Sequence, residues 1–449
     1  MSIIMESDAT ARDGHTSQRE RRIAKSALAS AFAKLVSVST ALVSVPLTLH
    51  YLGAERYGMW MVMSSLVAFL SFADLGIGNG LLSSVASAHG RDDRAGIRTL
   101  VSSAYLVLSL IAVAVLTILA ICYPFVTWYR IFNVQSELAR AEAGPAVAVL
   151  IGCFALAIPV GVVQRTQMGL QKGYMMSLWQ AAASVLGLFG VLLAIHLKAP
   201  LPFLVLAYVG APLLAGVANN IVFFGSLERD IAPDRYSVSR AAIRTLTGTG
   251  FLFLVLQLVA AATYMSDNFI IAHKLGASSV ADYAVPERLF ALISLVVAMV
   301  VAPLWPAYGE AIARGDRIWV ARTLKRSLLL SAGTAALGST FLVITAPWIL
   351  ELWVGRAVSP PFLLLLGLGL WKVVEAVGVA LAMFLNGMSV IGFQLVAAFF
   401  TAAVAITLKL FFIDQVGIAG SVWATLISFS AFTLIPALIL RARIFRTGE

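Results

Sequence analysis

Charged side chains are scarce in this sequence. Asp, Glu, Lys and Arg make up only 12% of its 449 residues, whereas hydrophobic residues make up 60%. A soluble domain of this composition would expose too much apolar surface to remain dissolved. The scarcity of charge therefore excludes a soluble protein and indicates that lipid surrounds most of the side chains.

The motifs of soluble enzymes are missing as well. The sequence contains no Walker A motif, no GxSxG motif, no pair of catalytic carboxylates and no cluster of His and Cys spaced for a metal. Its two cysteines, Cys122 and Cys153, lie in apolar runs, and we interpret both as buried thiols rather than as a disulfide or a nucleophile. We therefore expect neither an enzyme nor a bound cofactor.

Long apolar runs are what the sequence has instead. A helix that crosses a bilayer needs about 20 mostly apolar residues, and in lipid its backbone groups must bond within the same segment. The runs are continuous rather than alternating, which argues against a β-barrel. Twelve runs are long enough to span: Ala27–Leu49, Met59–Leu82, Leu100–Val126, Pro145–Val163, Leu178–Leu197, Phe203–Phe224, Thr249–His273, Asp282–Val301, Ser327–Leu350, Pro361–Met383, Phe393–Ile413 and Gly417–Leu440. The sequence thus predicts an all-α polytopic membrane protein of about twelve transmembrane helices, and the first run is too long to belong to a cleavable signal peptide.

Cationic residues lie mainly on one side of the predicted membrane. With the N-terminus placed inside, 22 of the 32 Lys and Arg residues fall in inside segments and six fall in outside loops. The six outside residues are Arg56, Arg130, Arg140, Lys198, Lys274 and Arg356. By the positive-inside rule, this bias predicts that both termini are cytoplasmic. It also accounts for the net charge of +10, so we expect the cationic residues to set the orientation of the protein in the lipid bilayer and not to bind a nucleic acid.

The two halves of the sequence repeat each other. At a shift of 223 positions, the matching motifs are Leu52-Gly53-Ala54 with Leu275-Gly276-Ala277, and Arg91-x-Asp93-Arg94 with Arg314-x-Asp316-Arg317. A fainter echo, at a shift near 215, relates Leu170-Gln171 and Gln180 to Leu385-Asn386 and Gln394. Each repeat holds six spans, an even number, so both repeats have the same orientation in the membrane.

This repetition predicts two parallel-repeat six-helix bundles around a central cleft. The predicted segments are a cytoplasmic tail (1–26), a first six-helix bundle (27–224), a cytoplasmic linker (225–248), a second six-helix bundle (249–440) and a C-terminal cytoplasmic tail (441–449).

Several motifs carry a resemblance to a known family. They are Leu52-Gly53, Tyr57-Gly58 and Phe72-Ala73-Asp74-Leu75-Gly76 in the first half, and Asp267-x-x-Ile270-Ile271, Leu275-Gly276, Tyr283 and Pro303 in the second. With these motifs, and in its span pattern over nearly the whole chain, the protein resembles the Wzx-type polysaccharide repeat-unit flippases of the multidrug/oligosaccharidyl-lipid/polysaccharide exporter superfamily. The motif residues are few and mostly structural, so they point to the fold more than to the substrate.

The resemblance implies a fold and a function. The fold would be a V-shaped pair of six-helix bundles in the bacterial inner (plasma) membrane. The function would be to move an undecaprenyl-diphosphate-linked oligosaccharide from the inner to the outer leaflet by alternating access, for synthesis of a lipopolysaccharide O-antigen, capsule or exopolysaccharide. A polysaccharide polymerase and a chain-length regulator would be the protein partners of such a polyprenyl-diphosphate-linked oligosaccharide flippase.

Ionisable residues inside the predicted spans mark candidate sites, because a charge in lipid is costly. A lipid diphosphate needs cations, and arginine can hold a phosphate by two hydrogen bonds. The candidates for substrate binding are therefore Arg288, Lys372 and Lys34. The candidates for coupling or gating are Asp74, Asp267, Glu287 and Glu375, with H+ or Na+ as the open choices of coupling ion.

Several of these charges also have structural interpretations. Lys372 and Glu375 are one helical turn apart and can neutralise each other. Asp267 and Arg288 lie at similar predicted depths on consecutive spans, so the two can pair. Lys409 lies near an outer helix end and Lys34 lies about two turns from the inner end, so the ammonium of each can instead extend to the surface.

Three glycines occupy alternate positions in the second span: Gly76, Gly78 and Gly80. They can be interpreted either as a hinge or as a surface where another helix packs closely.

Three other functions stay open at this point. A drug/cation antiporter of the same superfamily would need more carboxylates and fewer fixed positive charges. A polysaccharide ligase or polymerase would need a long outer loop with catalytic residues, and the longest outer loop, about Thr127–Gly144, is short. A scaffold without transport activity would leave the charges within the spans unexplained.

Overall fold

The computed structural model describes residues 2–70, 72–132, 134–354 and 360–446, and none of these residues lies in a β-strand. The first eight helices are α1 (Ser2–Leu70), α2 (Ile77–Gly90), α3 (Arg94–Cys122), α4 (Trp128–Ile131), α5 (Glu137–Val160), α6 (Val162–Gly169), α7 (Gly173–His196) and α8 (Leu201–Val222). The next eight are α9 (Arg240–Leu275), α10 (Ala277–Val301), α11 (Leu304–Ala313), α12 (Arg317–Val354), α13 (Phe362–Gly387), α14 (Ile391–Val416), α15 (Ala419–Phe429) and α16 (Ile435–Arg446). Arg356 of the predicted outer loops and the last three residues of the predicted C-terminal tail lie outside the described residues.

Ten helical segments in the described ranges are long and apolar enough to cross a membrane. They run from Arg94–Phe125 to Ala419–Ile444 and coincide with the third to twelfth predicted spans. The first two predicted spans fall in α1 and α2. Helix α1 is broken at Gly53, whose φ of 72° and ψ of 169° are not helical, and this break separates the two spans. The prediction of an all-α polytopic membrane protein is confirmed.

The backbone repeats where the sequence repeats. Gly53 and Gly276 both have a positive φ, 72° and 93°, and each separates two long helices. Glycine adopts this backbone region without the steric cost of a Cβ atom, which explains why it stands in both motifs. Asp92 and Gly315, also 223 positions apart, have φ values of 55° and 73°.

The acidic residue of each Arg-x-Asp-Arg motif begins a helix. Asp93 accepts a hydrogen bond from Gly96 N at 2.7 Å at the start of α3. Asp316 accepts one from Trp319 N at 3.2 Å at the start of α12. Helices leave their first N–H groups without internal acceptors, so each Asp stabilises the helix that it precedes. The two matched motifs therefore form equivalent turns, one in each half of the chain.

The fainter echo is also structural, but its shift differs from the predicted value near 215. Gln171 and Ser389 share a φ of 57° and each lies in the turn between two helices, so equivalent residues are 218 positions apart. Asn386 is therefore not the counterpart of Gln171. Sequence letters alone misplaced this match, because the turn geometry is kept while the side chains differ.

The chain forms two compact units, Met1–Phe251 and Leu252–Glu449, which we call the first and second unit. The boundary falls inside α9, which begins at Arg240, before the predicted span at Thr249. The end of the predicted linker is therefore helical. The prediction followed apolar composition, which does not register a helix that continues into a polar stretch.

The rest of the linker is attached to the first unit. Glu228 accepts hydrogen bonds from Arg94 and Lys172, and Ile231 is fully buried in the apolar core of that unit. Asp234 N donates to Ser102 Oγ at 2.9 Å on α3. Burial by itself would raise the pKa of Glu228, but the hydrogen bonds from Lys172 and Arg94 outweigh it and hold the pKa below its ordinary value.

The two cysteines differ in exposure. Cys153 is buried, as expected, whereas Cys122 is exposed at the last residue of α3. The prediction of two buried thiols was wrong for Cys122, because an apolar run does not show which face of a helix packs inside the protein.

Candidate functional site

Five of the residues selected from the sequence line one cavity in the second unit. The cavity has a volume of about 340 Å³ and lies among α9, α10, α13 and α15. The five residues are Asp267, Glu287, Arg288, Lys372 and Glu375. We call this space the charged cavity. Three adjacent helices each contribute an ionisable side chain to it, which the sequence could suggest only one helix at a time.

Lys372 lies between two carboxylates. Its Nζ atom is 2.9 Å from Glu375 Oε2, one turn along α13, and 3.9 Å from Glu287 Oε1 on α10. The Lys372 side chain is 5% exposed, and Ser294 Oγ also donates to Glu375 at 2.8 Å. The structure thus contains the pair expected from the i, i+3 spacing, and the ammonium is neutralised within the protein.

Asp267 pairs with Lys409 and not with Arg288. Lys409 Nζ lies 2.7 Å from Asp267 Oδ1, and Lys409 is fully buried. Tyr283 and Ser421 donate the remaining hydrogen bonds to the same carboxylate. The Asp267–Arg288 pair that the sequence allowed is therefore not formed, and the placement of Lys409 at the outer surface was wrong. Both predictions used depth in the membrane and had no information on helix rotation.

Arg288 differs from the other cations of this region. Its side chain is exposed and lines the charged cavity. Within the described part of the chain, its guanidinium makes no hydrogen bond and no ion pair, whereas Lys372 and Lys409 each have a carboxylate within 3 Å. A guanidinium stays charged at physiological pH and presents several donors in one plane. Arg288 is thus the cation of this cavity that an incoming anion can reach.

An apolar groove adjoins the charged cavity. It has a volume of about 350 Å³ and is lined mainly by apolar side chains of α9, α13 and α14 and of the last helical segments, among them Leu256, Val259, Leu381, Ala398 and Phe429. Glu375 lines both spaces. A charged compartment and an apolar compartment therefore meet at one side chain, within a single unit.

The first unit has a polar cavity of its own, with a volume of about 370 Å³. Asp74, Gln164, Arg165 and Gln180 are its polar wall. A Cβ atom at Gly78 would lie 2.7 Å from Asp74 Oδ2 and 2.9 Å from Arg165 Nε, so a side chain at this position would displace these two groups. The polar side chains here can donate and accept hydrogen bonds, as a sugar requires.

The three alternating glycines do different things. The chain turns between α1 and α2, where Gly76 has a φ of 72° and its N–H donates to Asp74 Oδ1 at 2.8 Å. Gly78 makes space for the polar cavity, and Gly80 packs against the backbone of α9, where an added Cβ would lie 3.2 Å from Leu246 O. The break is therefore at Gly76, and the other two glycines allow close approach.

Two site residues escaped the sequence reasoning or were given another role. Arg165 follows the predicted span Pro145–Val163 and is counted among the 22 inside cations, but it lies in α6 and lines the polar cavity. Its place just after an apolar run was the available signal. Lys409 was assigned to the surface, although its apolar neighbours on both sides were a signal of burial. Conversely, Lys34 is exposed on α1 and lines neither of the two cavities described above.

Metal binding finds no support in the described ranges. No group of three or more His, Cys, Asp or Glu side chains in them is placed to hold a metal ion.

Comparison with known proteins indicates a family. The family model described as "Polysaccharide biosynthesis protein" matches residues 23–312. A Salmonella typhi protein provisionally named an O-antigen transporter is 24% identical over 63% of this chain and 64% of its own length. A Yersinia pseudotuberculosis protein provisionally named an O-antigen export protein is 20% identical over 62% of this chain and 63% of its own. The chain thus spans less than two thirds of the length of these relatives.

Solved structures share the fold. A MOP superfamily transporter from Pyrococcus furiosus, described as having a binding pocket of reverse polarity, superposes with a TM-score of 0.81 at 15% identity, over 96% of this chain and 97% of that one. A MATE protein in its bent conformation gives a TM-score of 0.80 at 16% identity, over 95% and 96%. At these identities the likeness concerns the fold alone.

Proposed function

Because the chain belongs to the polysaccharide biosynthesis protein family, we propose that it is a flippase for a lipid-linked oligosaccharide. The substrate would be a polyprenyl-diphosphate-linked repeat unit, moved from the inner to the outer leaflet of the bacterial inner membrane by alternating access. The surface polysaccharide made from it would be an O-antigen or a related polymer, in line with the names of the two relatives.

The observation that supports this proposal most directly is the junction at Glu375 between the charged cavity and the apolar groove. A lipid diphosphate has an anionic head and a long apolar tail, and it needs both kinds of surface side by side. Arg288 offers a free guanidinium to the head, and the groove offers apolar wall to the first part of the tail.

The test is transport by variants of Arg288 in proteoliposomes that contain a lipid-diphosphate-linked oligosaccharide. The readout is the fraction of oligosaccharide that becomes accessible to an enzyme added outside. A charged hydrogen bond contributes about 1.5–3 kcal/mol, so Arg288→Ala should slow translocation by roughly tenfold or more. Arg288→Lys should keep part of the rate, because it retains the charge but not the planar pair of donors.

The matched control is Arg130→Ala, which removes an exposed arginine of α4 and should leave the rate unchanged. Normal translocation by folded Arg288→Ala would remove this residue from the mechanism. An inactive wild-type protein in the same vesicles would count against the flippase function itself.

A second candidate is a drug/cation antiporter, and the charged cavity contains an observation that favours it. Glu287 has a side chain 40% exposed, and a carboxylate in such a cavity can attract a cation. One structural neighbour is described as a multidrug resistance MATE transporter. Uptake of an organic cation driven by a proton or sodium gradient, lost in Glu287→Gln but kept in Arg288→Ala, would support this function over the flippase.

A further inference from the structure

Lys409 is a fully buried lysine whose ammonium is surrounded by oxygen atoms. Its Nζ donates to Thr263 O at 2.7 Å, to Ser266 Oγ at 3.2 Å and to Asp267 Oδ1 at 2.7 Å. These three acceptors are a backbone carbonyl, a hydroxyl and a carboxylate, all on α9, while the lysine stands on α14. An ammonium has three N–H donors, and these three oxygens satisfy all of them.

The surrounding hydrogen bonds orient these oxygens toward the positive charge. The Ser266 hydroxyl donates its own proton to Thr263 O at 2.8 Å, which leaves an oxygen lone pair for Lys409. Tyr283 and Ser421 donate hydrogen bonds to the carboxylate of Asp267 and so fix its orientation. Oxygen ligands of these three kinds are the ones that hard metal cations prefer.

We propose that Lys409 is the built-in occupant of a monovalent-cation site formed by Thr263, Ser266 and Asp267. The ammonium takes the place that Na+ or K+ would take, so this site does not draw a cation from solution in the wild-type protein. The consequence is a restriction on coupling: an ion gradient, if it drives this protein, acts at another site. The inference goes beyond the proposed function, because it does not depend on which substrate is moved.

The geometry explains why removal of the ammonium should create a cation site. Truncation of Lys409 leaves the Asp267 side chain, which is 10% exposed, without its counter-ion. A buried charge without a partner is strongly unfavourable, so a cation that fits the vacated space gains a large advantage. Two cations line the cavity that Asp267 also lines. Lys372 is already bound to Glu375, and Arg288 makes no ion pair with Asp267 in the structure.

The experiment measures thermal unfolding of the full chain in detergent, in NaCl, KCl and choline chloride at equal ionic strength. Wild type should unfold at the same temperature in all three salts. Lys409→Ala should unfold earlier in choline chloride and regain stability in NaCl or KCl, with a saturable dependence on concentration. The double variant Lys409→Ala/Asp267→Asn should show no such preference, because the carboxylate that holds the cation is gone.

Two results would overturn the proposal. In the first, Lys409→Ala is equally unstable in all three salts, or it yields no folded protein even when it is extracted in NaCl or KCl. The other is a specific stabilisation of wild type by Na+ or K+ that Asp267→Asn abolishes, because the site would then be open in the presence of Lys409. Neither readout involves transport, so failure here is distinct from failure of the flippase function.

Discussion

Lys372 Nζ lies 2.9 Å from the carboxylate of Glu375, so the two charges neutralise each other within one turn of α13. Glu287 on α10 lies within 3.9 Å of the same ammonium. The cavity therefore has a positive charge that is committed to the protein, beside Arg288, whose guanidinium makes no ion pair among the described residues. This division between structural and available charge leads to the first prediction.

Removal of Lys372 should destabilise the protein more than removal of the whole pair. Lys372→Met leaves Glu375 partly buried without its partner, a change that costs about 3–5 kcal/mol for a fully buried pair and less here, since the Glu375 side chain is 23% exposed. Lys372→Met/Glu375→Gln removes both charges and should recover part of the lost melting temperature in detergent. If the loss of stability in the double variant equals the sum of the losses in Lys372→Met and Glu375→Gln, the two residues do not act as a pair.

Substitution of Gly387 should disturb helix packing. A Cβ atom there would lie 2.6 Å from Tyr308 Cβ and 3.0 Å from Gly309 N, so α13 and α11 could not keep their present distance. Overpacking of this kind costs about 1–3 kcal/mol. Gly387→Ala should therefore lower the melting temperature clearly.

The first unit has the equivalent contact, which makes the prediction sharper. A Cβ atom at Gly169 would lie 2.7 Å from Val85 Cγ1, and Val85 precedes Tyr308 by the repeat of 223 positions. Gly169→Ala should have a similar effect. The control is Gly392→Ala in α14, where no atom lies within 4 Å of the added Cβ; a loss there as large as at Gly387 would refute the packing explanation.

Acidification should release the linker from the first unit. The pKa of Glu228 is held below its ordinary value of 4.5, because the hydrogen bonds from Lys172 and Arg94 outweigh the effect of burial. A carboxyl group with a lowered pKa stabilises the folded state above its unfolded pKa, and this stabilisation is lost as the pH falls through the folded pKa. The linker should thus stay attached at neutral pH and loosen below pH 4.5.

A nitroxide label at the exposed position of Tyr236→Cys, in a background without Cys122, measures this release as an increase in mobility. Glu228→Gln should be more mobile at neutral pH and should respond less to acid. Glu137→Gln, which removes an exposed carboxyl group of α5, is the control. Unchanged label mobility in Glu228→Gln at neutral pH would show that the contacts of Glu228 do not hold the linker.

Both termini should be cytoplasmic, given the bias of 22 to six cationic residues between the two predicted sides. A reporter that is active only in the cytoplasm should be active when fused after Glu449, and inactive when inserted after Lys198, in a predicted outer loop. The reverse pattern would invert the predicted topology.

The fold was largely predictable from the sequence. Apolar runs of about 20 residues are a direct requirement of the bilayer, so the third to twelfth predicted spans coincide with the helical segments of the structure. The repeat was visible because a turn with a positive φ demands glycine at Gly53 and Gly276. The breaks within spans were harder to place: the turn at Gly76 was one of two interpretations, and the division between α5 and α6 was not foreseen.

The sequence by itself determined which charged residues lie among apolar helices. It also determined the local pair of Lys372 and Glu375, because an i, i+3 spacing on one helix brings two side chains together. Only the tertiary structure decided that Asp267 belongs to Lys409. These residues stand on α9 and α14, far apart in the chain, and their contact depends on how each helix is rotated about its axis. Rotation is set by packing between helices, which hydropathy and depth in the membrane do not encode.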